Sequence, residues 1–154
     1  MTLESGKPLC ESVDCIDWVA SCFEYYGEVA RASYGNSIPP VAHHQLNVTI
    51  KEPFGVVAAI VPFNFPLLLM AWKVAPAIAA GNTVVCKPPH QNPLANLLLA
   101  QVYDVLPPGV VNVVTGGEDT GAALVEHPDV DMVAFTGSTA VRGSPWPRPR
   151  SSRR

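Results

Sequence analysis

The segment from residue 55 to residue 89 constrains the fold more than any other part of the chain. It begins with the apolar run Gly55–Val61, which is rich in valine and has the length of one buried strand. The stretch Phe65–Ala80 is apolar nearly all round and predicts a helix buried against a sheet. Thr83–Lys87 has the composition of a second strand. This order predicts two parallel neighbouring strands joined by a right-handed crossover, and therefore an α/β fold.

The flanking sequence extends the pattern in both directions. Apolar residues at spacings of three and four predict helices over Glu11–Ala32 and Asn92–Val105. Alternation of apolar and polar residues over His43–Glu52 predicts a strand with one buried and one solvated face. Two more buried strands are predicted at Val110–Val114 and Val130–Phe135, with a short helix between them.

Four motifs occur in order along this framework: PFNFP, AGNTVVCKP, PPGVVNVVTG and VAFTGST. Together they resemble the NAD(P)-dependent aldehyde dehydrogenase superfamily, and the similarity runs from about Leu3 to Val141. The segment DCIDWVASCFEYYGEVA is most similar to the betaine-aldehyde and aminoaldehyde branch. The resemblance implies a partial Rossmann-like dinucleotide-binding domain over residues 55–141. A helix and an oligomerisation-arm strand would precede it in residues 1–54, and the assembled enzyme would be a homo-oligomer.

The resemblance also implies a reaction, the oxidation of a small-molecule aldehyde to a carboxylic acid with NAD or NADP as cofactor. Asn64 matches the asparagine whose side-chain N–H holds the substrate oxygen, although an ordinary turn asparagine remains the alternative. Lys87 matches the lysine that binds the adenosine ribose, the alternative being a solvated lysine at a strand end. His90 stands where the family has a glutamate that accepts from both ribose hydroxyls. We therefore expect weaker NAD binding and less repulsion of a 2′-phosphate.

The other cofactor contacts implied by the resemblance lie at the carboxyl ends of the strands, where open sheets bind ligands. Gly137 would let the backbone approach the pyrophosphate, and Ser138 would supply a hydroxyl at a helix N-terminus. The full set of these further contacts is Ile60, Pro62, Phe63, Gly121, Phe135, Thr136, Gly137 and Ser138.

The implied reaction needs a cysteine thiolate as nucleophile and a glutamate as general base, and both follow the TGST segment in the family. Cys86 lies inside an apolar strand, and the other three cysteines precede the sheet, so none of them matches the nucleophile. Complete family members are much longer, and we expect this chain to be an inactive fragment. The alternatives are a nucleotide-binding module without catalysis and the product of a frameshifted gene.

Charge and composition exclude several other classes of function. All thirteen acidic residues precede position 132, whereas five of the ten basic residues lie in residues 142–154, so the body is acidic and unsuited to nucleic acid. The segment 142–154 departs from the family pattern, and its prolines and arginines predict a disordered tail.

The sequence predicts neither a metal site nor a membrane span. The four cysteines lack metal-ligand spacing and are expected to be buried free thiols in the reducing cytoplasm. No signal peptide is recognisable, and no apolar run reaches the length of about 20 residues that a bilayer requires. Apolar faces that lack partners lead us to expect aggregation of the isolated fragment.

Overall fold

The structure, a computed structural model, describes residues 1–138. The predicted domain boundary at residue 141 and the predicted disordered tail lie outside these residues. The first third of the chain contains two helices and a small antiparallel pair of strands. In chain order these are α1 (Thr2–Ser5), α2 (Leu9–Ala30), β1 (Ser37–Ile38) and β2 (Asn47–Val48).

The remaining described residues alternate between strands and helices, as the sequence predicts. The elements are β3 (Val56–Ile60), α3 (Pro66–Ala79), β4 (Thr83–Lys87), α4 (Leu94–Ala100) with a 3-10 turn (Gln101–Val105), β5 (Val111–Val113), α5 (Glu118–Glu126) and β6 (Met132–Phe135). The four strands β3 to β6 form one parallel sheet in the order β5-β4-β3-β6. The predicted α/β class and parallel sheet are confirmed.

Helix α3 packs on this sheet and forms the core with it. It begins with Pro66 at a first-turn position, where a missing backbone N–H costs nothing. Its buried side chains Met70 and Val74 meet Val57 of β3 and Val84 of β4 in one cluster. On the other side, Leu68 and its neighbours pack against α2. The helix is therefore covered on both sides, which explains its nearly continuous apolar sequence.

A buried asparagine closes the end of α3 and ties it to β3. Asn82 donates from Nδ2 to the carbonyl of Ala77 at 3.1 Å, and its Oδ1 accepts from the backbone N–H of Gly55 at 3.0 Å. Gly81 precedes it with φ of 82°, a conformation that favours glycine. The predicted helix stop at these two residues is confirmed.

The prediction of a strand over the whole of His43–Glu52 is wrong. Only Asn47–Val48 forms a strand, and it pairs with Ser37–Ile38. Leu46 and Ile50, on the apolar side of the alternation, are 80% and 78% exposed, in line with the expectation of apolar faces that lack partners. The alternating pattern is present, but no element among residues 1–138 packs on its apolar side.

The outer strands of the sheet are less buried than the sequence predicts. The side chains of β5 and β6 are half-buried or exposed, because each strand has a neighbour on one edge only within the described residues. The two central strands, β3 and β4, carry the buried positions. None of the helices described is long and apolar enough to cross a membrane.

Candidate functional site

The register of the sheet brings the predicted site segments together at one edge. Ile60 lies opposite Lys87 on one side and opposite Phe135 on the other. Beyond them, the backbone N–H of Thr136 donates to the carbonyl of Ile60 at 3.0 Å. The chain runs from β3 outward to β5 and then returns to the other side of β3 as β6. Such a reversal of strand order opens a crevice at the carboxyl ends of the strands, where α/β proteins bind ligands.

The turn between β3 and α3 presents Asn64 to solvent. Pro62 is half-buried, whereas Phe63 and Asn64 are exposed. Within residues 1–138 the amide of Asn64 makes no hydrogen bond, so its N–H groups are available to a ligand. The backbone just before it is held from another loop, because the side chain of Asn92 donates to the carbonyl of Phe63 at 2.9 Å.

Lys87 is buried, so the interpretation as a solvated lysine is wrong. The residue is 6% exposed, and its aliphatic stem passes Gly121, where a Cβ would lie 3.6 Å from both Cδ and Cε. Its Nζ lies 3.5 Å from the carbonyl of Pro88, the limit of a hydrogen bond. Burial lowers the pKa of Lys87, and the nearby carboxylate of Glu118 partly opposes this shift.

His90 lies three residues beyond Lys87 and is exposed. Two buried prolines, Pro88 and Pro89, separate the two residues and stiffen the connection. His90 therefore lies on the loop that directly follows the strand-end lysine.

The segment after β6 packs closely on itself. A Cβ at Gly137 would lie 2.3 Å from Cζ of Phe135, so the ring covers the glycine and leaves no room for a side chain. Thr136 lies between them, and its Oγ1 accepts a hydrogen bond from Nζ of Lys73 at 2.6 Å. Ser138 is exposed and is the last of the described residues.

Two residues of the site were missed by reasoning from sequence. Lys73 did carry a signal, because it is the only charged residue in the apolar stretch 65–80. It is half-buried, and desolvation lowers its pKa. Asn92 carried no signal, since an asparagine in a loop is ordinary and its burial depends on how that loop folds.

Three of the four cysteines have thiols whose burial disfavours the thiolate. Cys86 is 1% exposed, and burial raises the pKa of its thiol to about 12. Burial also raises the pKa values of Cys15 and Cys22. Cys10 is exposed on α2, contrary to the expectation of a buried thiol. Among residues 1–138 there is also no group of three potential metal ligands.

Comparison with known proteins places the fold and the motifs in one family of sequences. The model of the aldehyde dehydrogenase family matches residues 1–144. Betaine aldehyde dehydrogenase 1 of Oryza sativa subsp. japonica is 49% identical over 144 residues, which are 90% of this chain and 28% of the relative. The NADP/NAD-dependent aldehyde dehydrogenase PuuC of Escherichia coli (strain K12) is 47% identical, again over 90% of this chain and 28% of the relative.

Solved structures agree with the sequence relatives. The crystal structure of PnpE, a protein of Pseudomonas sp. WBC-3, in complex with nicotinamide adenine dinucleotide has a TM-score of 0.88 and 45% identity. That match covers 92% of this chain and 30% of the PnpE chain. The chain thus spans under a third of the length of the relatives it matches.

Proposed function

Because the chain belongs to the aldehyde dehydrogenase family, we propose that its strand-end crevice forms part of the site of an NAD(P)-dependent aldehyde oxidation. One observation carries this proposal. The parallel register aligns the ends of β3, β4 and β6, so the segments that carry Asn64, Lys87 and Thr136 meet at the reversal of strand order. Open α/β sheets bind their ligands at such a reversal of strand order.

Lys87 is suited to the ribose of the cofactor. A buried ammonium with one acceptor at the limit of hydrogen bonding retains unused donors, and this is costly unless a ligand supplies acceptors. Vicinal ribose hydroxyls would supply such acceptors. The residues present therefore fit a nucleotide whose vicinal ribose hydroxyls face Lys87, and His90 would lie near the same hydroxyls.

Asn64 is suited to the substrate oxygen. Its amide is exposed, makes no hydrogen bond within residues 1–138, and lies on a short turn between a buried strand and a buried helix. Such a rigid support keeps a donor in place while negative charge develops on a carbonyl oxygen. NAD(P)+, when bound, accepts the hydride that leaves the oxidised carbon.

The segment after β6 would border the reacting end of the cofactor. Thr136 is fixed twice, through its backbone N–H to Ile60 and through its hydroxyl to Lys73. At Gly137 the ring of Phe135 lies against the glycine and leaves no room for a side chain. We therefore assign positioning of the cofactor to Thr136, while a role of Gly137 in close backbone approach rests on its match to the family motif.

The chain of 154 residues does not complete the reaction on its own under this proposal. The reaction needs a cysteine thiolate that attacks the aldehyde; Cys15 and Cys86 are buried, and neither Cys10 nor Cys22 occupies the place of the nucleophile in the family motifs. The segment instead contributes cofactor-binding and oxyanion-binding groups to a larger catalytic unit. The relatives named for betaine aldehyde suggest a small polar or cationic aldehyde as the substrate.

Assembly and compartment are proposed on two further observations. The exposed apolar residues of the arm, such as Leu46 and Ile50, favour burial against another subunit. All four cysteines are free thiols, which suits a reducing compartment such as the cytoplasm.

A chimera tests the proposed function directly. Residues 1–138 of this chain replace the equivalent segment of the E. coli relative, and NAD-linked oxidation of betaine aldehyde and propanal is measured. We expect activity, a loss in kcat of about 10²-fold or more in Asn64→Ala, as for other oxyanion donors, and no loss in the control Asn112→Ala. Full activity of Asn64→Ala would overturn the assignment.

A non-catalytic nucleotide-binding module is the second candidate, supported by the same buried lysine. Titration of the 154-residue chain with NADH separates the two. Nucleotide binding by the chain combined with an inactive chimera would favour the module. Absence of binding in both proteins would leave neither function standing.

A further inference from the structure

We propose that Asn92 is a positioning residue for Asn64, a role that rests on the proposed function of Asn64 as the oxyanion donor. The side chain of Asn92 donates from Nδ2 to the carbonyl of Phe63 at 2.9 Å. That carbonyl belongs to the peptide bond between Phe63 and Asn64. The hydrogen bond therefore fixes the plane of the peptide from which the Asn64 side chain projects.

No other hydrogen bond among the described residues reaches positions 62 to 64. Pro62 has no N–H to donate, and the neighbouring bonds are made by Val61, which donates to Lys87, and by Phe65, which accepts from Leu69. The turn is thus anchored at both ends but held in its middle by one side chain. A change at Asn92 would release the peptide without unfolding either flanking element.

Asn92 is buried, and this restricts the conformations open to its side chain. It is 1% exposed, although it lies in the loop between β4 and α4 rather than in a regular element. Its Oδ1 has no partner within residues 1–138. The orientation of the amide follows from its contact, because the opposite orientation would place two acceptor oxygens against each other.

The position of Asn92 links the two halves of the site. It lies five residues beyond Lys87, on the loop that follows the strand ending at the proposed ribose-binding lysine. Its partner lies on the loop that carries the proposed oxyanion donor. The bond therefore sets the distance between the cofactor loop and the substrate loop, and a displacement of about 1 Å between reacting groups can lower a rate by about 10²-fold.

A selective resonance tests the contact in the full 154-residue chain. Phe63–Asn64 is the only Phe–Asn pair in the sequence, so labelling Phe with ¹³C at the carbonyl and Asn with ¹⁵N gives one peptide signal. We expect Asn92→Asp and Asn92→Leu to shift the Phe63 carbonyl upfield and to broaden the Asn64 amide. Asn112→Asp is the matched control, since its Nδ2 donates to the carbonyl of Gly109 in an exposed turn. An unmoved Phe63–Asn64 signal in both Asn92 variants would overturn the inference.

Kinetics in the chimera separate positioning from general stability. We expect Asn92→Leu to lower kcat by about 10²-fold, with the Kd for NAD and the melting temperature nearly unchanged. Asn92→Ser keeps a donor and leaves room for a bridging water, so it should recover part of kcat. A kcat that falls only in parallel with NAD affinity and melting temperature would identify Asn92 as a structural residue and overturn its positioning role. If the unsubstituted chimera is inactive, the proposed function fails, while the resonance still decides whether Asn92 orients the Phe63–Asn64 peptide.

Discussion

Lys73 on α3 donates a hydrogen bond to the hydroxyl of Thr136, 63 residues later in the chain, across 2.6 Å. The pair joins the helix that follows the Asn64 turn to the segment that follows β6. Lys73 is half-buried and desolvated, so the threonine hydroxyl replaces part of the water that its ammonium has lost. Neither residue has a carboxylate within salt-bridge distance among the described residues.

Removal of the Thr136 hydroxyl alone should therefore lower the free energy of unfolding more than replacement of both Lys73 and Thr136. We expect Thr136→Val to lower the free energy of unfolding by about 1.5 kcal/mol, because a charged donor is left desolvated without its acceptor. The double variant Lys73→Met/Thr136→Val should recover most of this loss. Urea denaturation of the unsubstituted chain, Thr136→Val, Lys73→Met and the double variant gives the coupling energy between the two side chains. Thr83→Val is the control, since its hydroxyl makes only a 3.5 Å contact, and additive effects in the double variant would contradict the prediction.

Stability at alkaline pH should depend on Cys86. Burial raises the pKa of this thiol from 9.0 to about 12, so the folded state favours the neutral form. The corresponding stability is complete below pH 9 and is lost between pH 9 and pH 12, as the unfolded chain releases the proton first. At pH 10.5 the loss amounts to about 2 kcal/mol relative to pH 8.

The measurement compares urea denaturation at pH 8 and pH 10.5 in the unsubstituted chain and in Cys86→Ala. The substituted chain should lose less stability between the two values, whatever the cost of the smaller side chain at pH 8. Cys10→Ala, at an exposed position, is the control and should keep the full pH dependence. An equal fall in the free energy of unfolding from pH 8 to pH 10.5 in all three proteins would show that Cys86 does not govern the loss of stability at alkaline pH.

The central fold could be predicted from sequence because its signals are local. Strands β3 and β4 and helix α3 follow from continuous apolar runs and from stop signals at Gly81 and Asn82, and each of these features lies within a few residues of the element it defines. The prediction of the arm strand over its full length failed because such a strand depends on contacts that are not local. Alternation over His43–Glu52 indicates an apolar face, but a strand also needs an element that packs on that face. No element among residues 1–138 does so.

The segments of the candidate site could be predicted from sequence, but the contacts between them could not. Asn64 and Lys87 were singled out by their places at predicted strand ends and by the resemblance of their motifs to the family. The burial of Lys87 and the bond from Asn92 to Phe63 depend on a loop that folds back across 29 residues. Contacts of this kind are set by tertiary packing, and periodicity does not encode them.

Two glycines should respond in opposite ways to alanine. Gly55 has φ of 121°, and a Cβ there would lie 2.2 Å from Oδ2 of Asp131, the atom that accepts from the N–H of Val56. We expect Gly55→Ala to lower the free energy of unfolding by about 1–3 kcal/mol. Gly27 lies inside α2 with nothing within 4 Å of its Cβ position, so Gly27→Ala should stabilise the chain by about 0.5–1 kcal/mol. Thermal and urea denaturation measure both, and a tolerated Gly55→Ala would contradict the close packing against Asp131.

The cofactor preference should depend on His90, while overall nucleotide affinity should depend on Lys87. Glutamate in place of His90 can accept from both ribose hydroxyls and would repel a 2′-phosphate. We expect His90→Glu to lower the Kd for NADH by about tenfold, equivalent to 1.4 kcal/mol, and to raise the Kd for NADPH.

Lys87→Met should raise the Kd for both nucleotides by about tenfold or more, because it removes the buried donor. Fluorescence titration of the chain measures all four constants, with His43→Glu and Lys51→Met as exposed controls. A ratio of NADH to NADPH affinity that does not change in His90→Glu would mean that His90 lies away from the ribose edge.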